Sequence, residues 1–147
     1  MKKAPIFLLV PFLAILAMAA GHMAQPGFIY TRARGRCTPQ YWSQRTDAWP
    51  RMVPRKSTVS NIFGSRVSER YKEDLTMPAA AGGGGGDGGA FGELLRQSAA
   101  ALLNSYARRG YPYASWEVKT LMIQALVSEE AAGAQARIFR EANENCG

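Results

Sequence analysis

The chain has 147 residues and carries 18 Lys and Arg against 11 Asp and Glu, a formal charge of +7 at pH 7. That length suits one small domain. Its one histidine is His22, near the amino end, and its two cysteines are Cys37 and Cys146. His22 falls beside the stretch where an amino-terminal leader is expected to be cut, so the mature chain should carry no histidine or one at a frayed terminus. That excludes Ser-His-Asp and Cys-His nucleophile pairs, histidine acid–base pairs and nearly all zinc sites, and no catalytic residue, metal ligand or cofactor is assigned.

Lys2 and Lys3 precede an apolar run from Ile6 to Ala20 broken only by Pro11, and Ala17-Met18-Ala19 offers a small-x-small exit. A charged start, a short apolar run and small residues describe a secretory signal peptide, expected over residues 1–24 with cleavage after Ala19, Gly21 or Ala24. An uncleaved anchor is the competing reading, but a spanning helix needs roughly 20 apolar residues. This run is shorter, with Pro5 beside it and Pro11 inside it. The expected location is therefore extracellular space or cell wall, with no membrane span after cleavage. In an oxidising compartment an even cysteine count favours one intramolecular bridge, Cys37 to Cys146. Closing a loop of about 110 residues is worth roughly 4–5 kcal/mol on the chain-entropy account.

Residues 25–36 show no apolar period and place Arg32, Arg34 and Arg36 at alternate positions; they read as a flexible basic leader. The domain proper is expected over 37–147. Thr38 can cap a helix and Pro39 suits its first position. Tyr41, Trp42 and Arg45 follow, and the run should end before Trp49-Pro50, because a residue preceding proline is pushed out of the helical region. Pro50 and Pro54 bracket an extended Arg51-Met52-Val53. Ser57 is expected to cap a helix over Thr58–Phe63 with Gly64 as its stop, and Ser65 to restart one through Val67 and Tyr71 to about Asp74. Residues 78–90, mostly Ala and Gly, read as a disordered linker, since so many glycines bury little apolar surface against the entropy of ordering them. A phosphate-binding loop is excluded by the lack of a following Gly-Lys-Ser/Thr.

Three longer helices follow. Phe91, Leu94, Leu95, Ala99, Leu102 and Tyr106 form one face of a 3.6-residue period. Arg108 and Arg109 suit its last turn, Gly110 a left-handed cap, and Pro112 forbids continuation. Ser115 should cap the second helix, with Trp116, Leu121, Met122, Ala125 and Leu126 on its buried side. Ser128, followed by Glu129 and Glu130, starts a third whose expected face is Ala131, Gln135, Ile138, Phe139, Ala142 and Cys146. The fold class is therefore all-α: about three main helices, a shorter N-terminal helical arm, one disulfide and a Gly-rich loop.

Charge is unevenly spread. Residues 25–72 hold ten Arg and Lys against Asp47 and Glu69, a balance of +8, and from Glu73 onward nine acids face six bases, a balance of −3. The candidate polyanion-binding residues are Arg32, Arg34, Arg36, Arg45, Arg51, Arg55 and Lys56. For an exported chain the fitting partner is an unidentified protein or an acidic polysaccharide rather than nucleic acid. A carboxylate-based hydrolase is an alternative needing two facing acids, although Glu93, Glu117, Glu129, Glu130, Glu141 and Glu144 fall at helix starts or on polar faces. A further alternative is an amphipathic lipid binder, which requires an apolar cavity enclosed by the helices.

Several stretches carry a resemblance: Cys37-Thr38-Pro39-Gln40-Tyr41-Trp42, Ala48-Trp49-Pro50-Arg51-Met52-Val53-Pro54, Ala101 through Arg108, and Trp116-Glu117-Val118-Lys119-Thr120-Leu121. They resemble a family of small secreted plant proteins found in floral and other developing tissues, over most of the chain outside the leader and the glycine run. The resemblance implies a plant setting in developing tissue and brings no catalytic residues. The export signal, the missing histidine and the charge split are what point to a non-enzymatic extracellular protein that binds a partner or wall polymer in development or reproduction. With two cysteines the chain departs from lipid-transfer proteins, which use eight.

Overall fold

The computed structural model describes residues 35–85 and 88–146. The expected signal peptide over 1–24, His22 and the leader through Arg34 lie outside them. Among the described residues the fold is all-α, with six α-helices, three short 3-10 turns and no strand. The expected fold class holds.

Helix α1 (Pro39–Gln44) begins as expected, with Pro39 in its first turn and the Thr38 hydroxyl accepting the Tyr41 N–H at 3.1 Å. It stops at Gln44, and a 3-10 turn over Thr46–Ala48 carries the chain to Trp49. Helix α2 (Val59–Phe63) is capped by Thr58 rather than Ser57: Thr58 Oγ1 accepts from Asn61 N at 3.1 Å, whereas the Ser57 hydroxyl donates back to the Pro54 carbonyl. Gly64 ends it, as expected. The expected helix from Ser65 to Asp74 is replaced by a 3-10 turn over Ser65–Glu69. The reason lies in the return of the chain. Val59 N donates to Leu75 O at 2.8 Å and Met77 N to Ser57 O at 2.9 Å, an antiparallel bridge between Thr58 and Thr76. A helix extended to Asp74 would carry Leu75 away from Val59.

The stretch 78–90, expected as a disordered linker, begins differently. Helix α3 (Met77–Ala81) is capped by Thr76 and buries Met77, Ala80 and Ala81. Its alanines are strong helix formers that lose no side-chain entropy on burial. Turns follow through Gly85, where an added Cβ would lie 2.3 Å from Leu95 Cδ2 and 2.8 Å from Leu75 Cδ2. The missing side chain here allows the backbone to press against two leucines.

Helix α4 (Ala90–Ala107) is the centre of the domain. It packs against α1, α3, α5 and α6, and every residue from Gln97 to Asn104 is buried. Arg108 is its C-cap, and Gly110 follows at φ +84°, the left-handed conformation that favours glycine. Helix α5 (Ser115–Ala125) is preceded by Ala114 as N-cap rather than by Ser115. The Glu117 carboxylate accepts the Ala114 N–H at 2.8 Å. Its buried residues are Val118, Met122 and Ala125. Trp116, expected inside, is 66% exposed, because it sits more than half a turn round the helix from Val118.

Helix α6 (Glu129–Glu144) is capped by Ser128 as expected, its hydroxyl accepting the Ala131 N–H at 3.0 Å. Its buried stripe is Ala132, Ala136, Phe139 and Asn143. That is about one residue round from the expected face, and Ile138 stands 45% exposed. The helix ends beside Cys146, which is bonded to Cys37 with the two Cα atoms 5.9 Å apart. The expected bridge is present. It fastens the turn at Gly35–Cys37 to the far end of α6.

Candidate functional site

Behind the bridge, α1, α4 and α6 meet over a seam of buried amides. Trp42 Nε1 donates to Asn104 Oδ1 at 2.8 Å, and Asn104 Nδ2 donates to the Cys37 carbonyl at 2.8 Å and to Asn143 Oδ1 at 2.9 Å. Asn143 Nδ2 donates to Gln97 Oε1 at 2.8 Å, and the Tyr111 hydroxyl donates to Asn143 Oδ1 at 2.6 Å. Burial pushes the Tyr111 phenol well above the usual tyrosine range, so it remains a donor. Trp42, Asn104 and Asn143 are fully buried with every named polar atom partnered. An isolated buried amide is costly, whereas a satisfied network fixes one arrangement of its helices. Neither Asn104 nor Asn143 nor Gln97 stands on a face that the apolar periodicity marks; the only cue to them is Asn104 at the end of an otherwise apolar run. The seam holds the fold together and leaves no polar group over for a ligand.

The cationic side chains divide by what they touch. Arg32 and Arg34 lie outside the described residues. Arg36 is exposed, and its carbonyl accepts from Arg108 Nη2 at 2.6 Å. The Arg108 guanidinium sits 4.9 Å from the Trp42 ring centroid and 5.6 Å from that of Tyr41, so it acts as a clasp between α4 and the arm. Arg45 is already engaged: its Nε and Nη2 reach the Asp47 oxygens at 3.1 Å each, and that bond holds the Asp47 carboxyl below the usual carboxylate range. Arg70 stacks 4.2 Å from the Phe91 centroid and donates to the Leu126 carbonyl at 3.1 Å. These engagements depend on chain folding, and spacing alone does not disclose them.

Arg51, Arg55 and Lys56 are different. All three are exposed, and among the described residues none makes an ion pair. Arg51 and Arg55 line an open cleft of about 390 Å3 together with Trp49, Pro50 and Pro54. Trp49 is fixed there by its Nε1 donating to the Trp42 carbonyl at 2.9 Å. The cleft is pinned by an indole tied to the core and carries two guanidinium groups that make no hydrogen bond or ion pair with a described residue. Asp47 also lines it, but its carboxylate is taken by Arg45.

Elsewhere, Glu117 accepts from Ala114 N and Glu93 from Gln97 Nε2, while Glu129 and Glu130 occupy the first turn of α6. Both cysteines are in the bridge, and among the described residues no three His, Cys, Asp or Glu side chains gather as a metal site. No described helix is long and apolar enough to cross a membrane.

The fold and this surface define a class: a disulfide-closed, all-α domain with an amide-laced core and an uncommitted cationic cleft. Residues 37–146 match the family described as protodermal factor 1 C-terminal domain, and the chain belongs to that family. The match begins and ends on the two bridged cysteines. No curated protein and no solved structure matches the chain.

Proposed function

We propose that the protein works outside the cell as a non-enzymatic binding protein of plant development, and that its ligand is an acidic wall polysaccharide of the uronate type. The observation that carries this reading is the pair Arg51 and Arg55, lining one cleft beside Trp49 and Pro50 and making no ion pair among the described residues, the Asp47 carboxylate nearby being bonded to Arg45. A uronate chain offers a carboxylate on each ring, which a guanidinium engages bidentately, and ring C–H surface, which the indole and proline receive. Lys56 adds a third uncommitted cation. The excess of +8 over residues 25–72 supplies a longer-range, salt-sensitive attraction. The signal-peptide pattern at the amino end and membership of a plant developmental family supply the setting.

The test is retention of the secreted protein on immobilised polygalacturonate. The wild type is expected to bind at low salt and elute with modest salt, and the triple variant Arg51→Gln, Arg55→Gln, Lys56→Gln to pass through. Passage of the wild type straight through at low salt would overturn the proposal.

A further inference from the structure

A second cleft, of about 590 Å3, lies between the turn after α4 and the last turns of α6. That volume falls within the range of small-ligand sites, which combine apolar walls with a few polar groups. Its apolar surface includes Tyr111, Tyr113 and Ile138, and its polar groups include Arg109, Glu141 and Asn145. Tyr111 directs its hydroxyl to Asn143, so what remains for the cleft is ring carbon. Tyr113 packs edge-on against Tyr111 at 6.1 Å and against Phe139 at 5.6 Å between centroids, which holds both tyrosine rings in place. Ile138 is an apolar side chain that the core does not use. Arg109 and Glu141 are both exposed, and neither makes an ion pair among the described residues.

We infer that this cleft binds a neutral oligosaccharide. Its one guanidinium and one carboxylate leave no net charge, so an anion would meet Glu141 and a cation Arg109. A sugar hydroxyl both donates and accepts, and therefore satisfies Glu141, Arg109 and Asn145 together. The C–H face of a pyranose ring then lies against the tyrosines. The inference is independent of the acidic-polymer reading: it uses a different cleft, different residues and an interaction that salt does not screen.

The experiment is a titration of the uniformly 15N-labelled protein, bridge intact, with cellotetraose, xylotetraose, mannotetraose and laminaritetraose at millimolar concentration, followed by amide chemical shifts. At least one sugar is expected to shift Gly110, Tyr111, Glu141 and Asn145, with the same affinity at low salt and at about 0.5 M salt. Glu141→Ala and Arg109→Ala are each expected to weaken binding about tenfold, the effect of one lost charge-assisted hydrogen bond. Dispersed amide spectra of both variants establish that they fold, and Arg51→Gln/Arg55→Gln is expected to bind these sugars normally. No shift with any of the four sugars, shifts confined to other residues, or full affinity in both variants would overturn the inference. So would a response to a Pro- and Tyr-containing peptide in place of the sugars.

Discussion

The seam between α4 and α6 and the loop from Arg45 to Lys56 are both rich in polar side chains, and they use them in opposite ways. In the seam, Trp42, Asn104, Asn143 and Gln97 partner one another at 2.8–2.9 Å inside the domain. In the loop, Arg51, Arg55 and Lys56 face solvent with no ion pair among the described residues. A buried polar group left unpaired costs about 1–3 kcal/mol, whereas an exposed cation is already hydrated. The seam therefore serves stability, and the loop is free to serve binding. Residue type does not separate the two regions; the presence of an internal partner does.

That contrast breaks most severely at its covalent edge. Replacing both cysteines (Cys37→Ser with Cys146→Ser) releases a 109-residue separation, and urea unfolding is expected to show a loss of about 4–5 kcal/mol. The Cys37 carbonyl would also lose its fixed place against Asn104. Next comes the amide itself. Asn104→Leu leaves the Trp42 N–H and the Cys37 carbonyl unpartnered, with an expected loss of about 3 kcal/mol in the same measurement. Gly85→Ala presses a methyl group against Leu95 and Leu75 and should cost about 1–2 kcal/mol, visible as a lower thermal midpoint. At the small end, Trp116→Ser and the double change Arg51→Gln/Arg55→Gln should each leave stability within about 0.5 kcal/mol, since all three side chains are exposed. A marked loss of stability in the arginine pair would erase the distinction between the two regions.

Much of the fold was legible where local chemistry decides it. Thr38 with Pro39, Ser128 with Glu129, and Gly110 with Pro112 mark helix ends through hydrogen bonds and backbone limits confined to a few residues. Legibility failed where the deciding partner is distant in sequence. Asn143 is buried because Asn104 and Gln97 receive it, from 39 and 46 residues away, and this turns the inner face of α6 away from Ile138. The α3 segment was obscured by the glycines after it, although Thr76 and Pro78 carry the same start signal as Thr38 and Pro39. Of the cationic residues, Arg45, Arg51, Arg55 and Lys56 are all exposed, and it is the bond to Asp47 that sets Arg45 apart from the other three, a pairing that spacing does not disclose.

The central claim is that the uncommitted guanidinium groups of the 49–55 cleft bind an acidic polymer. Calorimetric titration with oligogalacturonate across a salt series tests it most directly, comparing wild type with Arg51→Gln/Arg55→Gln. Wild-type affinity is expected to fall steadily as salt rises, and the variant to bind at least about tenfold more weakly at low salt with an unchanged unfolding midpoint. Equal affinity in the two proteins, or no heat of binding from the wild type at low salt, would contradict it.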